Sequence, residues 1–242
     1  MPERGAGLAC VEGALRPTRC SLASALFVRA ATLGYRLLGR DHYDDYRLEH
    51  VHGMPILVTP SVFNPKLLRS GEFFASILGP ELVDAQSEVL DMGTGSGVCA
   101  LFAARCARRV VAVDINVNAV RCARINALLN HLEQRLDVRL GDLFAPVAHE
   151  RFDLILFNPP FKRGTPHNDR ERAWRSNDAA ERFAAGLAAH LKPGGRALML
   201  LSTFGDAPLF LAQLRQCGFE LSVLAERRYI GERLVIFAAA PP

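Results

Sequence analysis

Val89-Leu90-Asp91-Met92-Gly93-Thr94-Gly95-Ser96-Gly97 is the stretch that decides how this chain folds. An apolar run that ends on an acid and breaks into alternating glycines reads as a buried strand leaving its sheet through a tight turn. Glycine permits that turn because it has no Cβ, so the backbone can bend sharply and approach a bound molecule. Val98 to Cys106 then reads as a helix. Strand, glycine turn and helix together open a doubly wound sheet, whose ligand lies beyond the carboxyl ends of the strands.

The alternation continues downstream. Val110–Val113 predicts a second strand closing on Asp114, with a helix over Val117–Leu129 behind it. Asp137–Leu140 predicts a third strand ending at Gly141-Asp142, and the apolar run Phe152–Phe157 a fourth. A helix from about Asn177 to Leu191 leads through Lys192-Pro193-Gly194-Gly195 into a fifth strand, Arg196–Leu201. A helix over Asp206–Cys217 and strands near Phe219–Leu224 and Leu234–Ala238 follow. Parallel strands need long crossovers, and these are right-handed. The short connection through Tyr229-Ile230-Gly231 requires an antiparallel member in the final pair. The expected fold is therefore α/β: a Rossmann-like, seven-stranded, mostly parallel sheet with one antiparallel strand.

Upstream, Ser21–Gly39 has amphipathic helical character, and Gly53-Met54 separates two β-prone runs, Arg47–His52 and Pro55–Thr59. A short N-terminal helix, a hairpin and a further helix over Leu67–Leu78 are expected ahead of the sheet. The division expected is residues 1–83 as an N-terminal segment covering the substrate side, and 84–242 as the sheet domain.

The composition is that of an ordinary folded chain: 242 residues, 50% hydrophobic and 22% charged. The net charge of +4 is a weak pointer to an anionic partner, because basic residues are scattered among acidic ones. The six cysteines form no Cys-x-x-Cys pair and the histidines no metal spacing, so no metal is expected. The apolar stretch Leu22–Leu38 is short for a membrane span and contains Arg29 and Arg36. With no signal peptide evident, a cytoplasmic protein without membrane association is expected.

Gly95-Ser-Gly97-Val-Cys-Ala100 also fits the loose dinucleotide fingerprint, a weak match by itself. Asp91 argues against a pyrophosphate there, because an acid before the loop repels phosphate and attracts a cation such as the amino group of S-adenosylmethionine. Gly93, Thr94, Gly95 and Gly97 would then form the cofactor loop. Asp114 can accept both ribose hydroxyls. Asp142 can accept from the adenine amino group, with Ile115 and Leu143 on the two faces of the ring. Each acid alone could be a helix cap; three at successive strand ends point to one ligand.

The fourth strand delivers Asn158-Pro159-Pro160-Phe161 to the rim of the sheet. Consecutive prolines remove backbone donors and fix φ, leaving the Asn158 side-chain oxygen and the Pro159 carbonyl as acceptors on a stiff turn. Two fixed acceptors suit a planar NH2 group, and Phe161 can stack on a planar substrate. Asn158 would border both the cofactor and the acceptor. The chemistry implied is methyl transfer to nitrogen.

With these motifs in view, the chain from about Leu48 onward resembles the HemK/PrmC protein-glutamine N5-methyltransferases. The likeness rests on Val89–Gly97, Val113-Asp-Ile-Asn116, Gly141-Asp-Leu-Phe144, Asn158-Pro-Pro-Phe161 and Gly231-Glu-Arg-Leu-Val235, with Gly53–Phe63 similar to the hairpin region. The resemblance implies a class I fold, S-adenosylmethionine as cofactor, and a glutamine side chain of a peptide-chain release factor as acceptor, gripped by Asn158 and Pro159. An exocyclic amine of RNA or DNA fits the same grip, with Lys162, Arg163, Arg170, Arg172 and Arg175 available to phosphate. A small-molecule amine stays open as a third acceptor.

Overall fold

In the computed structural model, which describes Val11, Gly13, residues 45–66, 69–160, 162–167, Glu171 and 173–241, the central strands bury both faces. In β3 (Glu88–Met92), β4 (Arg109–Asp114) and β6 (Phe152–Phe157), successive side chains enter two different cores. Val89, Val110, Ala112, Leu154 and Leu156 face α2 (Val98–Ala104) and α3 (Val117–Leu129). Leu90, Val111, Val113, Ile155 and Phe157 face α4 (Ala179–His190) and α5 (Ala207–Gln216). Near-continuous apolar strands of this kind are stable only between two helical layers.

β5 (Leu136–Leu140), β9 (Leu191–Ser202), β10 (Glu220–Tyr229) and β11 (Glu232–Ala240) complete a seven-stranded sheet in the order β10-β11-β9-β6-β3-β4-β5. β11 runs antiparallel to both its neighbours, and the other neighbouring pairs are parallel. The chain moves outward from β3 through β4 to β5, then returns to β6 on the opposite flank of β3. The crevice at that reversal is where an open α/β sheet holds its ligand.

Some expected boundaries shift, for local reasons. β9 starts at Leu191 rather than Arg196: Leu191 pairs with Phe152, Arg196 pairs with Leu154, and the intervening residues bulge outward. Lys192 anchors the bulge, its Nζ lying 2.8 Å from Glu88 and 2.9 Å from Asp153. The helix expected over Leu67–Leu78 is α1, Ser70–Ser76, because Arg69 stands in a left-handed conformation at φ 60°. The helix expected from Asn177 begins at Ala179, whose N–H donates to the Ser176 hydroxyl at 3.1 Å. The expected helix Ser21–Gly39 lies outside the described residues.

β1 (Arg47–Val51) and β2 (Met54–Val58) pair antiparallel through His52 and Gly53, at φ 45° and 84°. Two successive positive φ values give the tight turn whose twist suits a hairpin. The hairpin is tied to the sheet domain by Asn126, a 0% exposed side chain within α3. Its Oδ1 accepts from Leu57 N–H at 2.7 Å, and its Nδ2 donates to the carbonyls of Leu57 (2.7 Å) and Ser96 (2.9 Å). One amide thus joins the hairpin to the glycine turn. Asn126→Leu keeps the volume but strips partners from those backbone groups, so a loss of about 2–3 kcal/mol is expected in urea unfolding. An unchanged midpoint would contradict this.

Candidate functional site

The carboxyl ends of β3, β4, β5 and β6 surround a cleft of about 390 Å³. Asp91, at the end of β3, is only 4% exposed. Its Oδ2 accepts from the Thr94 hydroxyl at 2.6 Å and from the Ala100 N–H at 3.1 Å, which folds the glycine turn back over the acid. Burial, reinforced by the neighbouring charge of Asp114, raises the Asp91 pKa to about 7 despite those two donors. Gly97 caps α2 at φ 84°, and a Cβ there would sit 3.0 Å from that of Ala123. A side chain at position 97 would therefore push α2 away from α3.

Asp114, at the end of β4, accepts from the Gly95 N–H at 2.8 Å on one oxygen and from the Asn116 N–H at 2.9 Å on the other. Burial raises its pKa as well. Each carboxylate oxygen keeps a second lone pair, so ribose hydroxyls can still be accepted. Ile115, Asp142 and Leu143 line the same cleft. Asp142 also carries a partner that the sequence did not indicate: Arg182 from α4 places Nη2 2.7 Å from its Oδ2. Oδ2 keeps a second lone pair and Oδ1 keeps both, so an adenine amino group could still be accepted.

Asn158 and Pro159 follow β6 directly, one residue beyond the register pair Met92 and Phe157. Asn158 Nδ2 donates to Ser70 Oγ at 3.4 Å, whereas Oδ1 is buried without a hydrogen-bond partner among the described residues. Asn158, Pro159 and Pro160 all line the cleft together with Asp91, Gly93, Thr94 and Gly95. Phe161 lies outside the described residues.

Several lining residues were not assigned to the site from the sequence, although Ser61–Phe63 lie in the segment that resembles the family's hairpin region. Ser61, Val62, Phe63 and Pro65 come from the turn after the hairpin. Asn116 holds that turn in place, its Nδ2 donating to the Ser61 carbonyl at 3.1 Å. On the other rim, β7 (Lys162–Arg163) and β8 (Arg175–Ser176) form a small parallel pair. Trp174 from this rim meets Phe63 with ring centroids 5.2 Å apart. The two walls of the cleft therefore touch across its mouth.

A doubly wound sheet with acids at successive strand ends and a donor-poor proline corner beside them defines a class I methyltransferase. The family described as the methyltransferase small domain matches residues 53–223, and this chain belongs to it. It is 35% identical over 162 residues to the release factor glutamine methyltransferase of Cereibacter sphaeroides, covering 61% of this chain and 56% of that protein. It is 32% identical over 146 residues to the tRNA1(Val) (adenine(37)-N6)-methyltransferase of Porphyromonas gingivalis, covering 55% of this chain and 57% of that protein. The chain thus spans little more than half the length of these relatives. Among solved structures, the ribosomal protein L11 methylase of Lactobacillus delbrueckii subsp. bulgaricus shares the fold at TM-score 0.55 and 20% identity, covering 75% of this chain and 83% of that one.

The cofactor of this class is S-adenosylmethionine, and the cleft fits it. Asp91 is a buried carboxylate held by the Thr94 hydroxyl and the Ala100 N–H, with the acid Asp114 beside it. The ammonium group of the cofactor would supply a counter-charge there. No helix among the described residues is long and apolar enough to cross a membrane.

Proposed function

We propose that this chain methylates a planar nitrogen, most specifically the side-chain amide of a glutamine in a protein substrate of the release-factor type. The observation that carries the reading is Asn158 Oδ1, an acceptor buried at the cleft wall and lacking a partner. An unpaired buried acceptor is costly and native structures hold few of them. An incoming N–H of the substrate removes that cost.

S-adenosylmethionine supplies an electrophilic methyl group on a sulfonium. The chain's own residues orient the acceptor. Asn158 Oδ1 and the Pro159 carbonyl can take one hydrogen each from an NH2 group, fixing the nitrogen and the direction from which it attacks. Preplacement of this kind is worth up to about 7–11 kcal/mol in well-oriented systems. Both hydrogen bonds strengthen as the nitrogen gains positive character, so they favour the transition state over the ground state. As the new N–C bond forms, the S–C bond of the sulfonium would break to leave a neutral thioether, and the nitrogen would then release its proton to water, so no strong base is needed beforehand.

Two observations favour a protein amide over a nucleic-acid base. Arg163 lies 3.1 Å from Glu181, and Arg182, which lines the cleft, 2.7 Å from Asp142, so both of these cations already have an acidic partner. The glutamine-modifying relative is also matched at higher identity and over more of this chain than the adenine-modifying one. A base amine is the second reading, favoured by Lys162 and Arg175, both exposed on the rim.

The deciding experiment supplies labelled S-adenosylmethionine to a whole-cell extract and to purified release factor. Label in protein, stable to nuclease and lost on protease treatment, is expected. Label in RNA, with RNA binding that weakens steeply as salt is added, would replace the first reading with the second.

A further inference from the structure

The prolines after Asn158 fix the main chain but leave its side-chain torsions free. Something else must aim the amide. Its Nδ2 donates to Ser70 Oγ at 3.4 Å, across 88 positions of sequence, and its Oδ1 is the buried atom without a partner. Ser70 is 1% exposed and opens α1.

The start of α1 is itself closely held. A Cβ on Gly71 would lie 2.7 Å from the Cβ of Pro65 and 3.3 Å from Cγ1 of Val98. The Glu72 N–H also donates to the Pro65 carbonyl at 3.3 Å. Ser70 is therefore fixed between the turn that follows the hairpin and the first residue of the helix behind the glycine loop. A hydroxyl in that place can accept the Nδ2 hydrogen and hold the amide plane.

We propose that Ser70 is a positioning residue: it anchors the nitrogen end of Asn158 so that Oδ1 is presented to the methyl acceptor. This rests on the reading of Asn158 given above. Without the anchor the amide rotates, and its N–H groups can turn toward the N–H hydrogens of the substrate in place of Oδ1. Displacement of a positioning group by about 1 Å can cost on the order of 10²-fold in rate.

The test uses the full chain, labelled S-adenosylmethionine, and the extract fraction that the wild-type enzyme labels. Ser70→Ala is expected to lower kcat by about 10- to 100-fold, with the Kd for S-adenosylmethionine within about twofold of wild type. Ser70→Cys matches the serine in bulk but accepts hydrogen bonds poorly, so it should fall with Ser70→Ala, whereas Ser70→Thr should recover most of the rate. Wild-type kcat in Ser70→Ala, or a loss matched by weakened cofactor binding, overturns the proposal. So does a loss that Ser70→Thr fails to restore. Asn158→Ala separates the two levels: if it is inactive while Ser70→Ala is normal, only the role of Ser70 falls. If Asn158→Ala is fully active, the reading of Asn158 falls and takes the anchor with it.

Discussion

Asn158→Ala should reduce methyl transfer by about 10²–10³-fold, the loss found when one preorganised hydrogen-bond partner of a transition state is removed. The Kd for S-adenosylmethionine should stay within about twofold, because the acids and glycine loop that line the rest of the cleft are untouched. Stability is where this substitution departs from most. Removing a buried polar side chain usually destabilises, since its partners are left unpaired. The hydrogen bond that Asn158 makes is a long one, 3.4 Å from Nδ2 to Ser70, and Oδ1 makes none. Deleting the amide also deletes an unsatisfied acceptor, so the melting temperature should match or exceed that of wild type. Catalysis lost with stability kept is the signature of a group maintained for chemistry. Thermal denaturation and single-turnover labelling on the same preparation check both halves. A marked fall in melting temperature would make Asn158 a structural residue, and unchanged turnover would remove it from the reaction.

What the sequence disclosed and what it hid divide along a physical line. The inner strands were legible because an apolar run with both faces buried needs no context to be read: Phe152–Phe157 has the bounds its pattern suggested, and the helix behind the second strand, Val117–Leu129, does too. The placement of Asp91, Asp114 and Asn158 around one cleft followed from the same topology, since strand ends converge on the reversal point. Contacts between distant segments were not legible. Nothing about Ser70 distinguishes it from any other serine near a helix start; it matters because α1 and β6 meet. The ion pair on Asp142 was hidden because its partner, Arg182, stands 40 positions later on a helix whose rotation the sequence does not specify. Asn126 was hidden in another way. It interrupts an otherwise apolar helix face, a recognisable sign of a buried polar contact, but the groups it joins in distant segments are backbone ones and leave no side-chain trace. β7 and β8 were missed because two-residue strands carry no periodicity.

Asp91→Asn should separate cofactor affinity from stability in opposite directions. In the folded chain the Asp91 carboxyl titrates at about 7 rather than at its ordinary 3.8. The folded state therefore holds this proton more tightly than the unfolded chain does. As pH rises from about 4 to about 7, the unfolded chain gives the proton up first, and this one group makes the ligand-free protein progressively less stable. Above about pH 8 the penalty is complete, and a shift of this size corresponds to about 4 kcal/mol. An amide escapes the charge penalty while keeping an oxygen for the Thr94 hydroxyl and the Ala100 N–H. Its own burial takes back part of the gain, so a net rise of about 1–3 kcal/mol at pH 8 is expected, at about 2–4 °C in melting temperature per kcal/mol. The difference between variant and wild type should shrink toward zero near pH 4. Cofactor binding should run the other way. An ionised Asp91 attracts the ammonium group of S-adenosylmethionine, so wild-type affinity should increase as pH rises through about 7. The variant should bind about 10²-fold more weakly, roughly the worth of a charge-assisted hydrogen bond, and lose that pH dependence. Calorimetric titration at pH 6 and 8, set beside melting curves over the same range, reads both trends. A variant that binds as wild type does, or that melts lower at pH 8 without ligand, would show that the buried acid is there for the fold and not for the cofactor.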